Sequence, residues 1–290
     1  MANSTGEMIK ELRSGSKAGP RDGGKIGPLL GEGRTAEVFA WGDREILKLF
    51  RTDCPPDWIA REAKVAQVLF RSGLKVPAFR KLIKWADRQG IIYERIDGPS
   101  TLGSLAERPW TFLNAVRQFT DLHLAIHKVN APELPSQREV VIDLIENAHR
   151  ISLKAKRASL KILKQLPDDT ILCHGVFHPD NIILSPQGSV VIDWMSATKG
   201  NPLVDVAMTS LVLQVVKLPE TLSLSKRWLF QNLRGIFHTA YLSRYFRLSG
   251  LSREQFDVWV PIMASACLSL EFSNEEEDHF LSIAENGPLA

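Results

Sequence analysis

The hydrophobic positions change their period along the chain, and each change marks an element. From Ile26 the pattern is short and extended. Pro28-Leu29-Leu30 runs into Gly31-Glu32-Gly33-Arg34-Thr35-Ala36, and Glu45–Phe50 reads as a strand. Pro55-Pro56-Asp57 then starts a helix over Trp58–Phe70, with Ile59, Ala63, Ala66 and Leu69 at helical spacing and Gly73 at its end. Phe79–Trp85 and Gly90–Ile96 are the next strands, with Asp87-Arg88-Gln89-Gly90 as the turn between them. After Asp97-Gly98-Pro99-Ser100 the period becomes helical. Trp110–His127 is an amphipathic helix with Leu113, Val116, Phe119, Leu122 and Ile126 on its apolar side. Residues 138–166 form a helical region with a break near Ser152, and Ser210–Val216 and Ser225–Arg247 are further helices. Ser252-Arg253-Glu254-Gln255 and Ser273-Asn274-Glu275-Glu276 are capping boxes that open two more.

One stretch interrupts the helical half. From Cys173 to Trp194 the chain reads CHGVFHPDNIILSPQGSVVIDW. Asn181 precedes a short apolar run, Ser185-Pro186-Gln187-Gly188 makes a tight turn, and a second apolar run climbs to Asp193. That is a loop and a hairpin with an amide and a carboxylate at the strand ends. Both offer oxygen, the donor that Mg²⁺ prefers, so Asn181 and Asp193 are candidate metal ligands.

The expected fold class is α+β. A flexible tail over residues 1–25, rich in Gly, Ser, Asn, Lys and Arg, precedes a small strand-rich part at 26–96 and a larger, mostly helical part at 97–290. The chain has 290 residues with 44% hydrophobic and 24% charged positions, ordinary for a soluble globular protein. A formal net charge of +3 is too small to point to nucleic acid. Cys54, Cys173 and Cys267 form no CxxC pair, no apolar run reaches the roughly 20 residues of a membrane span, and the start of the chain lacks a signal-peptide core. The reading is a cytoplasmic protein without nucleic-acid or membrane partners.

Several features have plain structural readings. His123 and His127 are four apart on one helix, but no third ligand is evident in the sequence, so packing or hydrogen bonding is expected. Arg150, Lys154, Arg157, Lys161 and Lys164 would align as a solvated basic stripe on a continuous helix. The acidic run Glu275–Asp278 suits the positive end of a helix. Asp205, in Gly200-Asn201-Pro202-Leu203-Val204-Asp205, is expected to cap or brace a loop.

The order of the remaining signals is informative. A glycine loop, a strand lysine, a helix glutamate, an extended segment, a His-containing loop with Asn, and a strand ending in Asp follow one another. This order resembles the two-lobed protein-kinase-like fold. It is most similar to the aminoglycoside phosphotransferase and choline kinase group, whose catalytic loop resembles HGDxHxxN followed by IDW. His174-Gly175, His178-Pro179, Asn181 and Ile192-Asp193-Trp194 carry the specific part of the likeness.

The resemblance implies transfer of the γ-phosphate of ATP to a hydroxyl of a small molecule, with Mg²⁺. Gly31 and Gly33 would cover the phosphates, and Lys48 would contact them while paired with Glu62. Glu94 and Ile96 would present hinge backbone to adenine. His174 would belong to the catalytic loop, and Asn181 and Asp193 would hold Mg²⁺. The pattern breaks at Val176, where the family has the aspartate that accepts or orients the hydroxyl proton. Two outcomes stand side by side: a phosphotransferase weakened at Val176, and a catalytically silent nucleotide-binding module. Neither the acceptor, the choice of ATP over GTP, nor the oligomeric state is written in the sequence.

Overall fold

A strand places alternate side chains on opposite faces, and the first half of the chain uses both faces of its sheet. The computed structural model describes residues 26–33, 35–215, 224–270 and 272–286, with side chains from 231 onward in the stretch that begins at 224. The tail expected over 1–25 lies outside the described residues. The chain divides into two units. The first holds the described residues up to Phe70 together with Val76–Ile96. The second holds Arg71–Lys75 and the described residues from Asp97 onward.

In the first unit, β1 (Ile26–Glu32), β2 (Ala36–Trp41), β3 (Glu45–Phe50), β4 (Phe79–Trp85) and β5 (Arg88–Glu94) form one antiparallel sheet in the order β1-β2-β3-β5-β4. Leu47 and Leu49 point to the face that holds Phe39, Trp41 and Ile92. Phe50 points to the other face, where Ala36 and Ile91 pack against Ile59 and Ala63 of α1 (Pro56–Arg71). Alternation puts Lys48 on that same helix-covered face. On α1, Glu62 lies one turn from Ile59 and beside Ala63, so the buried stripe that seats the helix also aims Glu62 at the sheet.

The β4–β5 turn differs from the expectation. Trp85 pairs with Arg88, so the two-residue turn is Ala86-Asp87, with Ala86 at φ 51°, and the strand begins at Arg88 and ends at Glu94. Gly90 is a strand glycine for a packing reason. A Cβ there would lie 2.7 Å from Leu47 Cδ1 and 3.1 Å from the Lys48 carbonyl oxygen. Arg88, placed in the turn by the sequence reading, is buried instead. Its Nε and Nη2 donate to the carbonyls of Phe50 (2.7 Å) and Leu49 (3.0 Å), and its Nη1 pairs with Glu37 at 2.7 Å.

The second unit is helical. It contains α2 (Thr101–Glu107), α3 (Phe112–Ile126), α4 (Gln137–Asn147), α5 (Leu153–Leu163), α6 (Pro202–Val215), α7 (Leu224–Ser249), α8 (Arg253–Cys267) and α9 (Asn274–Asn286). Two small antiparallel pairs sit among them: β6 (Ile171–Cys173) with β9 (Thr198–Gly200), and β7 (Ile182–Ser185) with β8 (Gly188–Val191). Every residue of α6 from Leu203 to Val212 is buried, as an apolar helix without a polar face must be.

Two details correct the sequence reading of this unit. Leu113 is 76% exposed, and the buried stripe of α3 is Ala115, Val116, Phe119, Thr120, His123 and Ile126. The basic stripe is not continuous, because Arg150 adopts φ 63° in the break between α4 and α5 and turns to Glu277 and Asp278. The acidic run is engaged within the chain: Glu276 Oε2 also accepts from Ser273 N and Oγ, each at 2.8 Å. Among the described residues no helix is long and apolar enough to cross a membrane.

Candidate active site

In the first unit the Lys48 ammonium lies 2.8 and 3.0 Å from the two oxygens of Glu62, and the Tyr93 hydroxyl donates to Glu62 Oε1 at 3.1 Å. The Lys48 side chain is 14% exposed and that of Glu62 5%. Desolvation offsets most of the attraction in such a pair, so orientation of the ammonium is its main product. Gly31 pairs with Val38, and Gly33 N donates to the Ala36 carbonyl at 2.8 Å. A Cβ on Gly31 would meet nothing within 4 Å, and one on Gly33 would meet only the Ala36 oxygen at 3.5 Å. Open space, not a strained turn, therefore surrounds both glycines. Arg51 ties the stretch down through Glu32 (2.6 Å) and the Gly33 carbonyl (3.2 Å). Glu94 is used locally: its carboxylate accepts from Ala78 N at 3.2 Å and its N–H donates to the Ala78 carbonyl at 2.9 Å. Ile96, half-buried, is the last residue of this unit.

In the second unit β6 delivers the chain into the loop at His174. Gly175 has φ 88°, and a Cβ would stand 2.5 Å from the Ser196 carbonyl oxygen, so only glycine fits. Asp205, near the start of α6, accepts from His174 N at 2.6 Å through Oδ2 and from Gly175 N at 2.7 Å through Oδ1. It braces the loop, as expected. His174 itself is fully buried against Trp194, with ring centroids 4.5 Å apart. Its Nε2 lies 3.1 Å from the Ile192 carbonyl, which can only accept, so the proton is on Nε2. Burial holds the ring below its ordinary pKa and neutral. His174 thus positions the hairpin from behind.

Asn181 ends the single turn Pro179–Asn181, and its carbonyl accepts from Ile192 N at 2.9 Å, closing the open end of the β7–β8 hairpin. Its Nδ2 donates to the Val176 carbonyl at 3.1 Å, which commits the amide nitrogen and leaves the oxygen as the atom with lone pairs to give. Asp193 follows Ile192 in the left-handed region, φ 63° and ψ 60°. A non-glycine residue held there carries strain of about 1–3 kcal/mol. Trp194 anchors the next residue by donating from Nε1 to the Val191 carbonyl at 2.9 Å. Asn181 and Asp193 stand at the two strand ends, and both offer oxygen, the chemistry a hard divalent cation takes.

Asp180 is exposed and accepts from Ser100 Oγ at 2.5 Å, while Ser100 caps α2 by accepting from Gly103 N at 3.0 Å. His178 accepts the Asp180 N–H on Nδ1 at 3.3 Å, and burial keeps the ring below its ordinary pKa. The neutral ring then carries its proton on Nε2 and has no lone pair to spare for a substrate hydroxyl.

The comparisons give the family and the fold. The model of the phosphotransferase enzyme family (APH) matches residues 28–245. The chain belongs to that family. A search of curated protein sequences finds no significant match. Solved structures give the fold. A thermostable mutant of an aminoglycoside phosphotransferase, APH(4)-Ia, in a ternary complex with ADP and hygromycin B is 14% identical, with 97% of this chain and 96% of that one covered and a TM-score of 0.62. A choline/ethanolamine kinase family protein from Mesorhizobium loti is 15% identical, covers 96% and 94%, and has a TM-score of 0.62. An amicoumacin kinase, hAmiN, in complex with AMP-PNP, Ca²⁺ and Ami is 16% identical, covers 91% and 89%, and has a TM-score of 0.61. The protein-kinase-like fold of this family member, with a strand-rich N-terminal sheet and a helical C-terminal part, is the α+β class expected.

The sequence reading of this family member missed one node. His123 and His127 both reach Asp205 Oδ2 through Nε2 at 3.2 Å, and their Nδ1 atoms meet the hydroxyls of Tyr241 at 2.8 Å and Tyr245 at 2.6 Å. The carboxylate is the partner that the two-histidine spacing lacked. These three residues are also the only described group whose ligating atoms cluster as for a metal. A carboxylate cannot donate, so both Nε2 atoms carry protons and the node is a filled hydrogen-bond network. Burial, with His127 alongside, pulls His123 down to about 3. Burial alone would raise Asp205, but the hydrogen bonds from the two histidines outweigh it and hold the carboxyl well below its ordinary value.

Proposed function

We propose that this chain is a cytoplasmic phosphotransferase that moves the γ-phosphate of ATP to a hydroxyl of a small molecule, with turnover weakened by Val176. Residues 26–96 serve the nucleotide, and residues 97–290 carry the catalytic loop, the metal ligands and the acceptor site. The observation that carries the reading is the β7–β8 hairpin, with Asn181 and Asp193 at its strand ends on a loop braced by Asp205. The Lys48–Glu62 pair supports it.

In this reading Gly31 and Gly33 lie over the phosphates, where their lack of a side chain leaves room, and Lys48, steered by Glu62, contacts them. Glu94 and Ile96 present backbone to the adenine. Asn181 and Asp193 would hold Mg²⁺, which would supply positive charge against the developing charge of phosphoryl transfer. Val176 offers the acceptor hydroxyl neither a proton acceptor nor a hydrogen bond. Loss of a general base lowers rates by about 10²–10⁴-fold, while a loose phosphoryl-transfer transition state still profits from positioning. Turnover falls and nucleotide binding persists.

Val176 also favours a second reading, a catalytically silent nucleotide-binding module. Mg²⁺-ATP binding by thermal shift and ATP turnover, measured on the chain and on Val176→Asp with a panel of hydroxylated amines and sugars, separates the two. Slow turnover in the native chain that rises about 10²-fold or more in Val176→Asp is the expected result. Binding in both forms with turnover only in Val176→Asp favours the silent module, and no nucleotide binding in either form ends both readings.

A further inference from the structure

The node behind the loop has a fixed direction. His123 on α3 and His127 at its C-cap are one turn apart, Tyr241 and Tyr245 are one turn apart on α7, and each histidine lies 118 residues from its tyrosine. The constant offset means that the two helices present matching faces along this stretch. Asp205 accepts only, so each imidazole donates to it from Nε2. His123, which burial keeps neutral, then has a lone pair on Nδ1 and the Tyr241 hydroxyl is the donor; the Tyr245–His127 contact repeats that geometry. Tyr241 is fully buried, and burial raises both phenols above their ordinary pKa, so both keep that proton.

The hydroxyls do more than fill space. Without one, a buried Nδ1 is left unpaired. The ring can relieve this by carrying its proton on Nδ1, but its Nε2 lone pair would then face the Asp205 carboxylate. The tyrosine hydroxyl excludes that tautomer and keeps an N–H directed at Asp205. Asp205 in turn holds the two backbone amides from which the loop departs.

We propose that Tyr241 and Tyr245 are positioning residues for phosphoryl transfer: they set the tautomers of His123 and His127, which hold Asp205 on the amides of His174 and Gly175 and so fix the loop that carries Val176 and Asn181. Through these two relays α7, remote in sequence, governs the loop. Only the kinetic arm of the test rests on the phosphotransferase reading.

The unmodified chain is examined first, by ¹⁵N NMR of its imidazoles at pH 7. Neutral Nε2–H rings at His123 and His127 are expected, and an Nδ1–H ring or an imidazolium at either overturns the proposal. Amide exchange is then followed in Tyr241→Phe, Tyr245→Phe and the double variant. Loss of one hydrogen bond in each relay speeds exchange at His174 and Gly175 by about 3- to 10-fold, with exchange at α8 unchanged. Unchanged exchange at those two amides, or equal acceleration across α8, reduces the tyrosines to packing and overturns the proposal. Should the double variant not fold, the single variants decide. The kinetic arm places each Tyr→Phe change on Val176→Asp, where kcat falls and KM for ATP stays constant. Equal loss in both overturns the positioning role. If Val176→Asp has no turnover at all, the functional reading fails while the tautomer and exchange results still decide the relay.

Discussion

The two units give their buried carboxylates partners of different kinds. In the first, Glu62 meets a cation, Lys48, and Glu37 meets another, Arg88. In the second, Asp205 accepts from two backbone amides and from the Nε2–H groups of two imidazoles. A cation pair orients a side chain whose far end can serve a ligand. A ring of backbone and imidazole N–H donors fixes backbone instead, because each donor belongs to an element that must stay where it is. The first arrangement suits a residue that contacts phosphates, and the second suits a loop whose shape is the functional feature.

The largest test of that contrast is Asp205→Ala. It orphans four donors, two buried and two part-buried, so the loss in denaturant unfolding is expected to be about 4 kcal/mol. A loss below about 1 kcal/mol would mean that the ring of donors is not what holds the loop.

Glu62→Ala removes the carboxylate whose two oxygens meet the Lys48 ammonium. Breaking a fully buried pair costs about 3–5 kcal/mol, but Lys48 retains some access to water, so about 2 kcal/mol is expected, together with weaker Mg²⁺-ATP binding. Unaltered nucleotide affinity would separate the pair from the ligand.

Acid sensitivity separates the units further. His123 is held at about 3 when folded, below its unfolded value near 6.5. Between these values the unfolded chain binds the extra proton. The stability that comes with a neutral ring is therefore fully present above about pH 6.5 and is lost as pH falls toward 3, at up to about 1.4 kcal/mol per pH unit. Asp205, with a depressed pKa, adds its own loss below the ordinary carboxyl value of about 3.9, where the unfolded chain takes up the proton before the folded one does. His123→Gln keeps an N–H donor and removes the first slope, so its stability should vary less between pH 6.5 and 4 in equilibrium unfolding. An unchanged slope would assign the acid sensitivity to other histidines.

The smallest effect is expected at Gly31→Ala. A Cβ there meets no atom within 4 Å, so stability should change by less than about 0.5 kcal/mol. Nucleotide affinity should nonetheless fall if that space belongs to phosphates, and a thermal-shift titration reads both.

Much of the fold was legible because its signals are local. The strand Glu45–Phe50 was read with the bounds it has, α1 was read to within two residues, and the break near Ser152 is real. The hairpin between Asn181 and Asp193 was legible for the same reason, since an amide, two apolar runs and a tight turn lie within a dozen residues. The β4–β5 turn was misplaced because Gly90 carries a turn signal in sequence but serves close packing against Leu47. The stripe through Arg150 failed because a single residue at φ 63° leaves the helix.

By itself the sequence determined the elements and the order of the chemistry-bearing residues, since these depend on local period and residue type. Only the tertiary structure decided that Arg88 is buried against Glu37, that Asp180 is tied to Ser100, and that Asp205 gathers His123, His127 and, through them, Tyr241 and Tyr245. Those partners lie 51, 80, 82, 78 and 118 residues apart. No helical or strand period spans such a distance. Which polar groups meet is settled when apolar faces pack, and the buried donors and acceptors must then be satisfied by whatever that packing brings beside them.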